Sequence, residues 1–181
     1  GYYGDDTAYL ETMRDYMVQR GVTVPLVTSD GPMDESLSCG HLEGALPTGN
    51  FGSRTKERFE VLKRDTDGGW FDHWGNGGHM RGNLEESVQD LDDMLELGHV
   101  NIYMFEGGTN FGFMNGSNYY DELTPDVTSY DYDAVLTEDG QITEKYRRYQ
   151  EVVRKHAPVP EVKLTTDIRR KAYGKLVCEA K

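Results

Sequence analysis

The stretch "RFEVLKRDTDGGWFDHWG", residues 58–75, decides how the chain is read. Its first part predicts a helix, with Phe59 and Leu62 on one side of charged neighbours and Ser53 placed to cap it. Its last part is a compact aromatic cluster of Trp70, Phe71, His73 and Trp74. Between the two lie Asp65, Thr66, Asp67 and Gly68, which cannot form a buried strand. Elsewhere the chain alternates helices with short apolar strands, so a strand is expected at this point and the residues for it are not there.

Upstream, Asp5 and Asp6 can cap a helix in which Tyr9, Met13, Tyr16 and Met17 recur at helical spacing, with Gly21 ending it. "VTVPLVTSD" and "GALPTGNFG" read as strands that end in polar loops, with a helical turn or two in "MDESLSCG" between them. Downstream, Asn83 followed by Glu86 resembles a capping box, and Leu84, Val88, Leu91, Met94 and Leu95 form an apolar stripe that Gly98 ends. "HVNIYMF" reads as a strand buried on both faces, because it lacks strict alternation. A long Gly/Asn/Tyr-rich loop runs from Gly107 to about Tyr132, and "TEKYRRYQEVVRKH" is a last helix. The prolines and charges of "APVPEVKLTTDIRRK" predict a linker, and "AYGKLVCEAK" the first strand of a following domain. Strand–helix alternation of this kind implies α/β architecture with a parallel sheet.

Length and composition narrow the function. The 181 residues are enough for one domain with a sizeable core. A net charge of −13 repels a phosphate backbone, so no nucleic-acid partner is expected. No apolar run is long enough to span a bilayer as a helix, so no membrane partner is expected. Two cysteines, Cys39 and Cys178, are too few for a disulfide framework and lack metal-ligand spacing.

Four stretches are too specific for generic packing: "VPLVTSDGP" (24–32), "LPTGNFGSRTKERF" (46–59), "NIYMFEGGTNFGFMNG" (101–116) and "TSYDYDAVLTEDGQITEKY" (128–146). Together with "GWFDHWG" and "KAYGKL", they resemble glycoside hydrolase family 35, the β-galactosidases built on a (β/α)8 TIM barrel. The resemblance implies a retaining hydrolase with two catalytic Glu residues. One, the acid/base, sits in an Asn-Glu pair after barrel strand four; the other, the nucleophile, follows strand seven. Retention requires carboxyl groups about 5 Å apart across the sugar, one attacking while the other protonates the leaving oxygen.

Mapped onto the family, "VPLVTSD" corresponds to strand five, "GALPTGNF" to strand six and "NIYMF" to strand eight. The expected fold class is therefore a partial (β/α)8 TIM barrel, strands five to eight with strand seven deleted. Residues 1–156 form the C-terminal half of the catalytic domain, and residues 157–181 a linker with the start of a β domain. The family's Asn-Glu pair precedes the segment resembling "GYYGDDTAYL", where this sequence begins, so the acid/base Glu is expected to be absent. Strand seven and its nucleophile belong between "RFEVLK" and "GWFDHWG", where only eight residues separate Glu60 from Gly69. The shortfall is roughly ten residues, the length of a strand and a short loop. An ungapped alignment instead puts Asp65 at the nucleophile position. Against it, Lys63, Arg64 and Thr66 would replace an apolar central strand.

The resemblance also implies that Tyr103 and Tyr132 line the galactose pocket and that Trp70 stacks on a sugar face. The plainer reading makes each a core or rim aromatic with a locally satisfied polar group. Trp74 reads as a loop anchor, Thr109 and Asn110 as loop-shaping residues, and Glu106 as a rim residue. No cofactor or metal is expected. Asp72, His73 and His79 match no zinc spacing, Asp131, Asp133 and Glu138 lack the calcium-loop register, and "GGTNFG" lacks the Lys-Ser/Thr ending of a phosphate loop. The partners implied are a β-galactoside sugar and the N-terminal half-barrel. The reading in another class is a non-catalytic remnant that binds galactosides or serves as an interaction module.

Overall fold

A computed structural model describes residues 4–31, 34–50, 70–163, 169–175 and 177. The expected helix over 54–64, the strand-seven gap and Asp65 lie outside these residues. The chain divides into two compact units. One holds the described residues up to Asn50 together with Arg81–Gly98; the other holds Trp70–Met80 and the described residues from His99 onward.

In the first unit, α1 (Thr7–Gln19) begins where the Asp6 carboxylate accepts the Tyr9 amide at 3.1 Å. It ends at Gly21, whose φ of 85° is one that side-chain-bearing residues avoid. The strands β1 (Leu26–Val27) and β2 (Ala45–Leu46) are parallel, with Leu26 opposite Ala45 and Val27 opposite Leu46. The short helix α2 (Asp34–Gly40) connects them, as a parallel pair requires. Pairing continues past β1, with the Asp30 amide donating to Thr48 O at 3.0 Å and the Asn50 amide to Asp30 O at 2.6 Å. Gly40 closes the unit against Asp30: a Cβ there would lie 1.7 Å from Oδ1 of Asp30. The apolar residues of α1 are not buried, and Tyr9, Met13 and Met17 line a groove of about 560 Å³ with Leu26 and Leu42. Helix α3 (Leu84–Leu97) starts at Asn83, whose side-chain oxygen accepts the Glu85 and Glu86 amides, and it buries Leu91.

The second unit differs from the sequence reading at two places. Asn101–Phe105 was expected to be a buried strand, and it forms a turn instead, with Tyr103 69% and Phe105 47% exposed. An interior parallel strand exists only with a neighbour on each side. Among the described residues this segment has only a single parallel bridge just beyond it, Glu106 to Leu136, with the Leu136 amide donating to Phe105 O at 2.8 Å. The loop expected from Gly107 to Tyr132 contains a hairpin, β3 (Ser117–Tyr119) antiparallel to β4 (Leu123–Pro125), turning at Asp121 with φ 68°.

Helix α4 (Glu144–His156) starts at Thr143, whose hydroxyl accepts the Tyr146 amide and donates to Val135 O at 2.5 Å. Arg154 and Lys155 in its last turn complement the negative end of the helix dipole. Val135 and Val152 are buried. No closed barrel forms among the described residues, and no helix among them is long and apolar enough to cross a membrane.

Candidate functional site

Three segments of the second unit bring five aromatic rings together. Phe71 stacks on Tyr130 with centroids 5.6 Å apart, and Tyr130 stacks on Tyr132 at 5.2 Å. Tyr103 meets Tyr132 edge-on at 5.4 Å and shares a hydrogen bond with the Tyr130 hydroxyl at 3.2 Å. Trp70 lies 4.6 Å from Phe71 and 6.0 Å from Tyr132. Offset and edge-on ring pairs add roughly 0.5–1.5 kcal/mol each beyond the area they bury.

The backbone explains how the rings meet. The segment 108–110 pairs antiparallel with 128–130: the Tyr130 amide donates to Gly108 O at 3.0 Å and the Asn110 amide to Thr128 O at 2.8 Å. Gly107 is needed for this approach, since a Cβ there would fall 1.6 Å from Tyr130 O. Tyr132 and Asp133 then turn the chain through the left-handed region, with φ of 60° and 50°. Such a conformation costs a residue with a side chain roughly 1–2 kcal/mol. Lys145 of α4 holds it, bonding Asp133 O at 2.5 Å and the Asp133 carboxylate at 2.7 Å. Asp131 Oδ1 accepts the Asp133 amide at 3.1 Å.

The segment carrying Trp70 and Phe71 is fixed by its next residue. Asp72 is buried; one carboxylate oxygen accepts the Met80 amide at 2.7 Å, and the other pairs with His79 Nδ1 at 2.6 Å. His73 packs edge-on against Phe71, and its Nε2 pairs with Asn118 Oδ1 at 2.9 Å and lies 3.3 Å from Asp126. Asp72 and His79 therefore close a turn. Among the described residues no group of three His, Cys, Asp or Glu side chains is arranged to hold a metal ion.

Burial raises the pKa of Tyr130, assisted by its hydrogen bond to Tyr103, and burial also raises that of Tyr132. Both phenols are therefore neutral at physiological pH. The cluster presents apolar ring faces beside neutral hydroxyls, a combination that can pack the C–H face of a pyranose while hydrogen-bonding its hydroxyls.

Trp70, Tyr103 and Tyr132, singled out in the sequence, thus lie together. Phe71, grouped with Trp70 in the sequence but not assigned to the pocket, and Tyr130, not singled out at all, complete the cluster; the signal for Tyr130 is its place two residues before Tyr132 in "YDY". Glu106 is exposed beside its bridge to Leu136, and Trp74 is exposed with its amide donating to Pro125 O at 2.9 Å.

Comparison with known proteins gives the site its context. The family profile described as glycosyl hydrolases family 35 matches residues 1–156. A beta-galactosidase of Felis catus is 36% identical over 192 residues, covering 98% of this chain and 28% of that protein. A beta-galactosidase of Bos taurus is 39% identical over 169 residues, covering 86% of this chain and 25% of that protein. The human beta-galactosidase-1-like protein 3 is 36% identical over 171 residues, covering 88% of this chain and 26% of that protein. The chain spans about a quarter of the length of these relatives. Membership of this family implies a TIM-barrel catalytic domain. With the profile matching most of its length and several relatives above 30% identity, the chain belongs to glycoside hydrolase family 35.

Proposed function

We propose that this chain supplies the aromatic galactoside-binding wall of a retaining β-galactosidase barrel and that these 181 residues alone do not turn over a β-galactoside. In this reading residues 1–156 are the C-terminal half of the barrel without strand seven, and residues 157–181 lead into a β domain. Tyr103 and Tyr132 hydrogen-bond the sugar through their hydroxyls, and Trp70 packs on its C–H face. The observation that carries the reading is the meeting of these three residues, drawn from distant segments, in one cluster with ring centroids 5.4 and 6.0 Å apart. The names of the relatives supply the substrate class, a terminal β-galactoside. Two sequence facts support the loss of turnover. The 181 residues contain no Asn-Glu pair, and only eight residues separate Glu60 from Gly69, where the family places strand seven and its nucleophile.

The test combines binding and turnover. Galactose titrated into the full chain should quench Trp70 fluorescence with weak, saturable affinity, and Tyr132→Ala should weaken it about tenfold, the equivalent of roughly 1.4 kcal/mol. An aryl β-galactoside should remain uncleaved. Turnover that Asp65→Ala abolishes would restore the ungapped alignment. Turnover that survives Asp65→Ala would place the machinery elsewhere, and galactose binding unaffected by Tyr132→Ala would remove the aromatic wall from the site.

A further inference from the structure

The pairing that carries Tyr130 is gripped by a carboxylate that neither the aromatic cluster nor the family's chemistry calls on. Thr109 and Ser129 face each other across the antiparallel bridge. Side chains at such a pair project from the same face, about 4.5–5.5 Å apart at Cβ. Glu138 reaches over that face: Oε1 accepts the Thr109 hydroxyl, and Oε2 accepts the Ser129 hydroxyl at 2.5 Å. Its own backbone is anchored independently of the bridge. Leu136 pairs with both Glu106 and Ile142, and the turn that follows is closed by the Gly140 amide donating to Thr137 O at 2.8 Å.

We infer that Glu138 is a positioning residue for the aromatic wall: by holding Thr109 with one oxygen and Ser129 with the other, it fixes the register of 108–110 against 128–130 and so the placement of Tyr130 and Tyr132. A slip of one residue in either segment would turn its hydroxyl to the opposite face and break a bond to the carboxylate. Tyr130 follows Ser129 directly, so its ring stack and its bond to Tyr103 depend on that register. Carboxylate–hydroxyl bonds are charge-assisted and stronger than neutral ones, which suits them to this task. The sugar-binding half of the inference rests on the function proposed above; the ring-positioning half does not.

The experiment separates the two halves. Glu138→Gln keeps an acceptor for one hydroxyl and a donor for the other, while Glu138→Ala and the pair Thr109→Val with Ser129→Ala remove the grip from opposite ends. Val152→Ala, a buried substitution in α4, serves as a control for lost stability alone. Tyrosine ionisation followed at 295 nm and near-ultraviolet circular dichroism report the rings without any ligand; galactose titration reports the site. Expected are late-ionising tyrosines in the wild type and in Glu138→Gln, and earlier ionisation with a changed near-ultraviolet band in the other two grip variants. Galactose affinity should fall about tenfold in those two and less than threefold in Glu138→Gln. Should Glu138→Ala fail to fold, the Thr109/Ser129 variant gives the same readouts with the carboxylate retained. Grip variants that lower thermal stability as Val152→Ala does, yet leave tyrosine ionisation unchanged, would overturn the inference. If the wild type binds no galactose, the function proposed above fails, and the tyrosine readouts still decide the role of Glu138.

Discussion

Asp72 offers a sharp test of how the Trp70–Phe71 segment is held. The residue is 5% exposed, and its carboxylate closes the turn to Met80 by accepting that amide at 2.7 Å while pairing with His79 at 2.6 Å. Asp72→Ala removes both bonds and strands the Met80 amide. A hydrogen bond to a charged group contributes about 1.5–3 kcal/mol, and a stranded amide costs a comparable amount, so local opening should become easier by about 3 kcal/mol. At 1.4 kcal/mol per factor of ten, that is about a 150-fold faster exchange of the Met80 amide. Asp72→Asn should behave differently: its amide oxygen still accepts from Met80, so the change should stay within about 1 kcal/mol, roughly fivefold. Hydrogen–deuterium exchange resolved at Met80 measures both. Equal acceleration in the two variants would refute the reasoning, because the effect would then follow from charge and not from the acceptor at Oδ1. No acceleration in either would mean that the turn does not depend on Asp72.

Tyr130 and Tyr132 keep their protons to higher pH when folded than when unfolded, so the stability they supply is complete below about pH 10 and is lost as pH rises through their raised values. Urea titrations at increasing alkaline pH should show the loss, and Tyr130→Phe should flatten it; a slope unaffected by that substitution would contradict the assignment. Gly107→Ala places a Cβ where Tyr130 O stands, so it should destabilise the second unit by roughly 3 kcal/mol or more. An unchanged denaturation midpoint would rule out that close approach.

The helix starts were legible because a cap is local chemistry. Asp6 and Asn83, named as caps from the sequence, accept the amides of Tyr9 and Glu86. The parallel pair of β1 and β2 was legible from two short apolar runs with a helical turn between them. Asn101–Phe105 was misread because its composition suits a buried strand, whereas being a strand depends on neighbours that no single segment specifies. The hairpin at Ser117–Pro125 escaped notice because "SNY" and "LTP" carry no alternating apolar pattern, and its turn residue, Asp121, is not the Asn-Gly or Asp-Gly pair that marks tight hairpins. Tyr103 and Tyr132 could be named from motif resemblance alone. The pairing of Asp72 with His79 and the grip of Glu138 could not, because each joins residues whose spacing matches no repeating pattern.

The ring cluster has a consequence for how the second unit assembles. Its contributors are far apart along the chain: Phe71, Tyr103 and Tyr130 are separated by about thirty residues at each step. Closing a flexible loop of that length costs about 3 kcal/mol, and the cluster must close two. Of its close ring pairs, Phe71–Tyr130 and Tyr103–Tyr132 join distant segments and return roughly 1–3 kcal/mol beyond burial, so stacking alone does not balance the closure. Contacts of such sequence separation are slow to form, because the entropy of closing the loop is lost before they are made. The cluster therefore acts as the clasp of the unit, and a molecule that grips two of its rings at once slows the unit's opening.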